Sequence, residues 1–126
     1  MSMDIIKQLE ASYDEMVSIR RYVDMHPEVS FQEVETAKYI QKFYTELEIP
    51  FQANVGGNGV VARVKGTLPG KTVALRADFD ALPIQDEKNV PYKSTVPGVM
   101  HACGHDGHTA ALLILARTIN EFKDQL

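Results

Sequence analysis

The sequence predicts an α/β fold. Apolar residues recur at helical spacing from Ile5 to Leu47, short β-branched runs separated by glycines follow Pro50, and a strongly apolar helical segment begins at Ala110. With 126 residues, 44% of them hydrophobic and 24% charged, the chain has enough apolar surface for one modest core.

The elements follow in order. Ile5, Leu9, Met16, Ile19 and Val23 line one face of a first helix. Pro27 stops it, since the residue before a proline is pushed out of the helical region. Ser30 and Glu33 then form an S-x-x-E pattern, which predicts a capping box with Val29 and Val34 at the two staple positions. A second helix runs to about Leu47, with Val34, Ala37, Ile40, Tyr44 and Leu47 as its buried face. Beyond Pro50, "FQANV", "VVARVKG" and "TVALRAD" predict three strands, parted by Gly56 to Gly59 and by the Pro69-Gly70 turn. From Pro83 to Gly98 the chain is polar and broken by Pro91 and Pro97, which predicts a loop with room for one short strand. Ala110 to about Phe122 predicts a helix, buried almost all round in its first half. The ending "INEFKDQL" offers neither a capping glycine nor a return strand, so the chain is expected to be cut short.

Composition narrows the partners. Thirteen basic against 17 acidic side chains give a net charge of −4, and no basic run is available to neutralise phosphates, so nucleic acid is not expected. The amino-terminal "MSMDIIKQLE" is charged where a secretory signal is apolar, and the apolar run Ala110 to Ala116 is too short to cross a bilayer; a cytoplasmic protein without membrane contact is expected. A single cysteine forms no internal disulfide and fits a reducing compartment.

That cysteine stands in "MHACGHDGHTAALLILA", Met100 to Ala116, together with three of the four histidines. Cys103 and His105 flank Gly104 at a C-x-H spacing on a loop that leads into a helix. The glycine lets the backbone bend, so a thiolate and an imidazole can converge on one ion. Asp106 is placed to hold an imidazole by its second nitrogen, and His101 and His108 flank the pair. Three readings stay open on these residues alone: a metal site, a cysteine nucleophile with His105 or His108 as base, and a solvated loop ahead of a core helix. A second segment, "LRADFDALP", separates Asp78 and Asp80 by one residue, so that on extended chain both carboxylates face the same way at a strand end. Together the segments suggest a divalent-metal site. An ion there would acidify water and polarise a carbonyl, which is what amide hydrolysis requires.

"HPEVSFQEVET", "ALRADFDALPIQ" and "MHACGHDGHTAALL", in that order, resemble the amino-terminal part of the metal-dependent aminoacylase and hippurate hydrolase family, the N-acyl-L-amino acid amidohydrolases. The resemblance runs from about His26 to the end. It implies a three-layer α/β/α zinc-exopeptidase-like catalytic domain, with residues 1–126 as its amino-terminal part and an inserted dimerisation domain outside them. It implies that Cys103 and His105 are metal ligands, that the complete site holds two divalent ions, zinc or manganese, and that Asp80 has a supporting catalytic role. Asp78 stands where more distant relatives carry a metal-binding histidine, which leaves its role open. The family's Glu-Glu motif, source of the general base, does not occur in this sequence. The implied function is hydrolysis of the amide bond of N-acyl amino acids or small peptides by a complete enzyme, for which the family pattern implies a homodimer, with no turnover by these residues alone. The alternatives are a cysteine-dependent hydrolase and a non-enzymatic module that binds through a sheet edge. His26, at a helix boundary, is expected to be structural; His101 and His108 are expected behind the ligands or on the substrate side.

Overall fold

The computed structural model describes residues 4–126; Met1 to Met3, the start of the charged amino-terminal segment, lie outside it. The described elements are α1 (Ile5–Ala11), α2 (Tyr13–Met25), α3 (Val34–Glu46), β1 (Phe51–Val55), β2 (Gly59–Ala62) and α4 (His105–Glu121), with a single 3-10 turn at Lys123–Gln125. The α/β class holds. No described helix is long and apolar enough to cross a membrane.

The first predicted helix is two, broken at Ser12. Its hydroxyl is buried and donates to the Gln8 carbonyl at 2.9 Å, which competes with the helical ladder and bends the chain. α2 ends before Pro27, where His26 has the expected structural part: Nδ1 donates to the Tyr22 carbonyl at 2.7 Å, and the ring packs on Tyr22, which stacks in turn on Tyr39 of α3.

The capping box does not form, because α3 starts at Val34, too late for Ser30 to reach its first turn. Glu28 does the work instead: its carboxylate accepts from Thr36 N at 2.6 Å, from Thr36 Oγ1 at 2.7 Å and from Glu35 N at 3.2 Å. Glu33 turns to Phe31 N at 2.9 Å and to Asn58 Nδ2 at 3.1 Å, which holds Phe31 at a positive φ of 67°. Val34 is correspondingly exposed rather than stapled, while Ala37, Ile40 and Tyr44 are buried as the spacing predicts. At the other end Ile49 N donates to the Tyr44 carbonyl and Glu48 N to that of Thr45, a left-handed cap that folds Ile49 into the core.

β1 and β2 form an antiparallel hairpin with Phe51 opposite Ala62 and Gln52 opposite Val61. A side chain at Gly59 would collide with the Val55 carbonyl, which accounts for the glycine. The third predicted strand, "TVALRAD", is corrected: among the described residues it has no ladder partner, and Val73 and Leu75 are 79% and 59% exposed. β-branched composition favours extended chain, but a strand also needs a neighbour for its N–H and C=O groups, and none runs beside it here.

The core gathers Ile19 of α2, Ile40 and Tyr44 of α3, Ile49, and Ala110, Leu113 and Ile114 of α4. α4 is thus the central element, in contact with both α1 and α2. The polar segment 83–99 is a loop, as predicted, but a tightly bonded one. Leu82 and Met100 close it by exchanging hydrogen bonds of 2.9 and 3.0 Å. Inside it, the buried Asp86 accepts from Ser94 N at 2.8 Å and Lys88 N at 3.0 Å, and Thr95 reaches back to the Met25 carbonyl at the end of α2.

Two predictions follow from these bonds. Glu28→Ala should lower stability by about 1–2 kcal/mol in urea denaturation of the full-length protein, and Ser30→Ala by less than about 0.5 kcal/mol, the reverse of what a capping box would give. The two backbone N–H donors hold Asp86 down from its ordinary 3.8 to about 2. Its contribution to stability is therefore complete above pH 4 and disappears as pH falls toward 2. Asp86→Asn should show a smaller loss of melting temperature than wild type over that interval.

Candidate metal centre

The Leu82–Met100 bridge brings the two motif segments side by side, Asp78 to Asp80 on one strand of chain and His101 to His105 on the other. α4 begins at His105, five residues earlier than the apolar pattern indicates, because the Gly104 carbonyl already accepts from Gly107 N and His108 N. Gly104 itself sits at φ 98°, a left-handed conformation that glycine adopts without cost. This turn puts His105 at the head of the helix, facing the 78–80 segment.

One donor atom each from Asp78, Asp80 and His105 lies within 4.8 Å of the others, a group that can hold a cation. His105 Nδ1 is 2.9 Å from Asp80 Oδ1 and 3.0 Å from the Asp80 carbonyl oxygen. A backbone carbonyl only accepts, so the proton between them belongs to Nδ1, and in the neutral ring the lone pair stands on Nε2. Nε2 is 3.9 Å from Asp78 Oδ2. That gap is shorter than two metal–ligand bonds of about 2.1 Å end to end, so one ion can touch both atoms. Asp78 is oriented by Thr109, whose hydroxyl donates to its carbonyl at 2.9 Å, and its carboxylate pairs with the exposed Arg76. Thr109 lies four residues after His105 on the same helix face, a spacing from which its part could have been read.

The remaining motif residues divide. Cys103 is an exposed free thiol at the turn and is not in the three-residue group. His108 is also exposed, its ring 6.4 Å from that of His105. His101 is 6% exposed, and among the described residues neither of its nitrogens has a hydrogen-bond partner. Burial pushes its pKa below the ordinary histidine value, with Asp106 and Asp80 pulling the other way. Asp106 does not hold an imidazole, as the sequence suggested; it turns inward to Arg20 of α2, whose Nε lies 2.7 Å from Oδ2. A cavity of about 260 Å³ lined by Tyr22, Val23, His26, Glu35, Thr36 and Tyr39 shares no residue with the candidate centre.

An imidazole presented to two carboxylates at a helix amino terminus, with a thiol two residues away, defines an α/β protein with a candidate divalent-metal site. The model of the Peptidase family M20/M25/M40 matches residues 74–126, the part that carries this site. YhaA of Bacillus subtilis is 60% identical over 123 residues, covering 98% of this chain and 31% of that protein. The N-acyl-L-amino acid amidohydrolase of Geobacillus stearothermophilus is 45% identical over 117 residues, covering 89% of this chain and 30% of the relative. Among solved structures, the Bacillus subtilis YXEP protein, described as a dinuclear metal-binding peptidase of the M20 family, superposes with a TM-score of 0.87 at 43% identity, over 93% of this chain and 33% of its own. The chain belongs to this peptidase family and spans about a third of the length of these relatives.

The His105 geometry is testable by itself. In Asp80→Ala the main-chain carbonyl stays as an acceptor, so nitrogen-15 NMR of the imidazole should show His105 still protonated on Nδ1, with its nitrogen resonances shifted by loss of the carboxylate, while the His26 signals stay in place.

Proposed function

We propose that residues 1–126 form the amino-terminal part of a catalytic domain which, in the complete protein, hydrolyses the amide bond of N-acyl amino acids or small peptides with the help of divalent metal ions. The observation that carries this reading is the His105 tautomer fixed by Asp80, which leaves Nε2 as a free donor beside Asp78. The names of the relatives, an N-acyl-L-amino acid amidohydrolase and a dinuclear metal-binding peptidase, support the substrate class and the metal dependence.

In this reading His105 and Cys103 would hold the ion, with Asp78 available as a third donor; the thiol is exposed and lies outside the group of three that the fold brings together. A bound ion supplies Lewis acidity toward the substrate carbonyl and acidifies water. Asp80 accepts the proton of His105 Nδ1, which orients the ring and raises its basicity at Nε2. In this proposal that is its supporting catalytic role. The general base is not among these residues, since the sequence has no Glu-Glu pair, so the fragment alone should be without turnover. Two ions per complete site, zinc or manganese, a homodimeric complete enzyme and a cytoplasmic location belong to the same proposal; the unpaired single cysteine of these residues supports the last.

The test is an assay of the full-length protein on several N-acetyl amino acids. Chelator should abolish turnover, added Mn²⁺ or Zn²⁺ should restore it, and Cys103→Ala or His105→Ala should lower it at least about a hundredfold. Turnover that persists in chelator but is lost on alkylation of Cys103 would establish the cysteine-dependent reading instead.

A further inference from the structure

Arg20 and Asp24 of α2 join Asp86 and Lys88 of the 83–99 loop and Asp106 of α4 in a charged group that the proposed reaction does not use; its carboxylates are buried, and its two cations are 35% and 33% exposed. Asp24, Asp86 and Asp106 are 0%, 2% and 1% exposed. They enclose two cations: Arg20 Nε is 2.7 Å from Asp106 Oδ2 and Nη2 is 3.7 Å from Asp24, while Lys88 Nζ is 3.2 Å from Asp24 and 3.1 Å from Asp86. Arg20 and Arg21 also lie over the Tyr92 ring, at 5.5 and 4.3 Å. The group thereby ties α2, the 83–99 loop and the first turn of α4 to one another.

Burying such pairs brings little net stability, because desolvation of each charge offsets most of the attraction, and apolar replacements of similar volume are often as stable. What these pairs bear on is position: a buried carboxylate left without its cation is strongly unfavourable, and the ion pair with Arg20 is what meets Asp106 Oδ2, which has no hydrogen-bond partner among the described residues, so the docking that brings Arg20 to it is favoured. Asp106 is the neighbour of His105. Had its carboxylate faced outward it would compete for the same cation; held by Arg20, it anchors the helix start from behind and fixes the direction in which His105 points. Asp80 sets the rotation of the ring, and Arg20 sets the backbone that carries it.

We infer that Arg20 is a positioning residue for the metal-binding turn, acting through its ion pair with Asp106. The inference rests on the proposed metal reading. It is tested in the full-length protein, freed of metal and titrated with Co²⁺, by following the thiolate-to-cobalt absorption and the d–d bands. Arg20→Met should weaken Co²⁺ binding about tenfold or more and shift the d–d bands, and Arg20→Lys, which keeps the charge, should recover part of the affinity. The double variant Arg20→Met, Asp106→Leu leaves no lone buried charge on either partner. It should melt within a few degrees of wild type in the metal-free state and still bind Co²⁺ about tenfold more weakly, a separation that a purely structural role would not produce. Unchanged affinity and spectrum in Arg20→Met, or in the double variant should the single one not fold, overturns the inference while leaving the metal reading intact. A wild-type protein that takes up no Co²⁺ overturns the metal reading, and this inference with it.

Discussion

One proton, shared between His105 Nδ1 and the two oxygens of Asp80, is the constraint from which the site is built. Because a main-chain carbonyl is one of the acceptors, Nδ1 carries the proton in the neutral ring and the lone pair on Nε2 is left toward Asp78. Everything else serves that contact. The Leu82–Met100 bridge brings the two segments together, Gly104 turns the chain into α4, and the Ala110–Leu113–Ile114 face seats that helix in the core. The apolar helix and the polar motif are therefore one device: burial of the second and third turns holds the first turn rigid where the chemistry lies.

Residue spacing made much of this legible. The i, i+2 separation of Asp78 and Asp80 anticipated that both would face the same partner, and they do, although no strand ladder carries them. The helical spacing of Ile40 and Tyr44 gave part of the core directly. These signals are local, and local periodicity is what sequence encodes most openly.

The features that eluded the sequence depend on what a residue meets from elsewhere in the chain. Ser30 and Glu33 satisfy the capping pattern, yet Glu28 reaches the helix start first and leaves Glu33 to secure the Phe31 turn and Asn58. Val73 and Leu75 have strand composition, but extended chain becomes a strand only beside another one. Asp106 looked like a partner for an imidazole because it is adjacent to one; the arginine that takes it stands on α2, in a helical pattern where nothing distinguishes it from a solvated cation. Long-range charge pairing of this kind leaves no periodic trace.

The donor set itself is the central claim, and X-ray absorption on the zinc-loaded full-length protein addresses it most directly. One sulfur at about 2.3 Å together with imidazole scattering, the sulfur vanishing in Cys103→Ser and the imidazole diminishing in His105→Ala, is the predicted result. A zinc shell of oxygen and nitrogen alone, unaltered by either substitution, would contradict it.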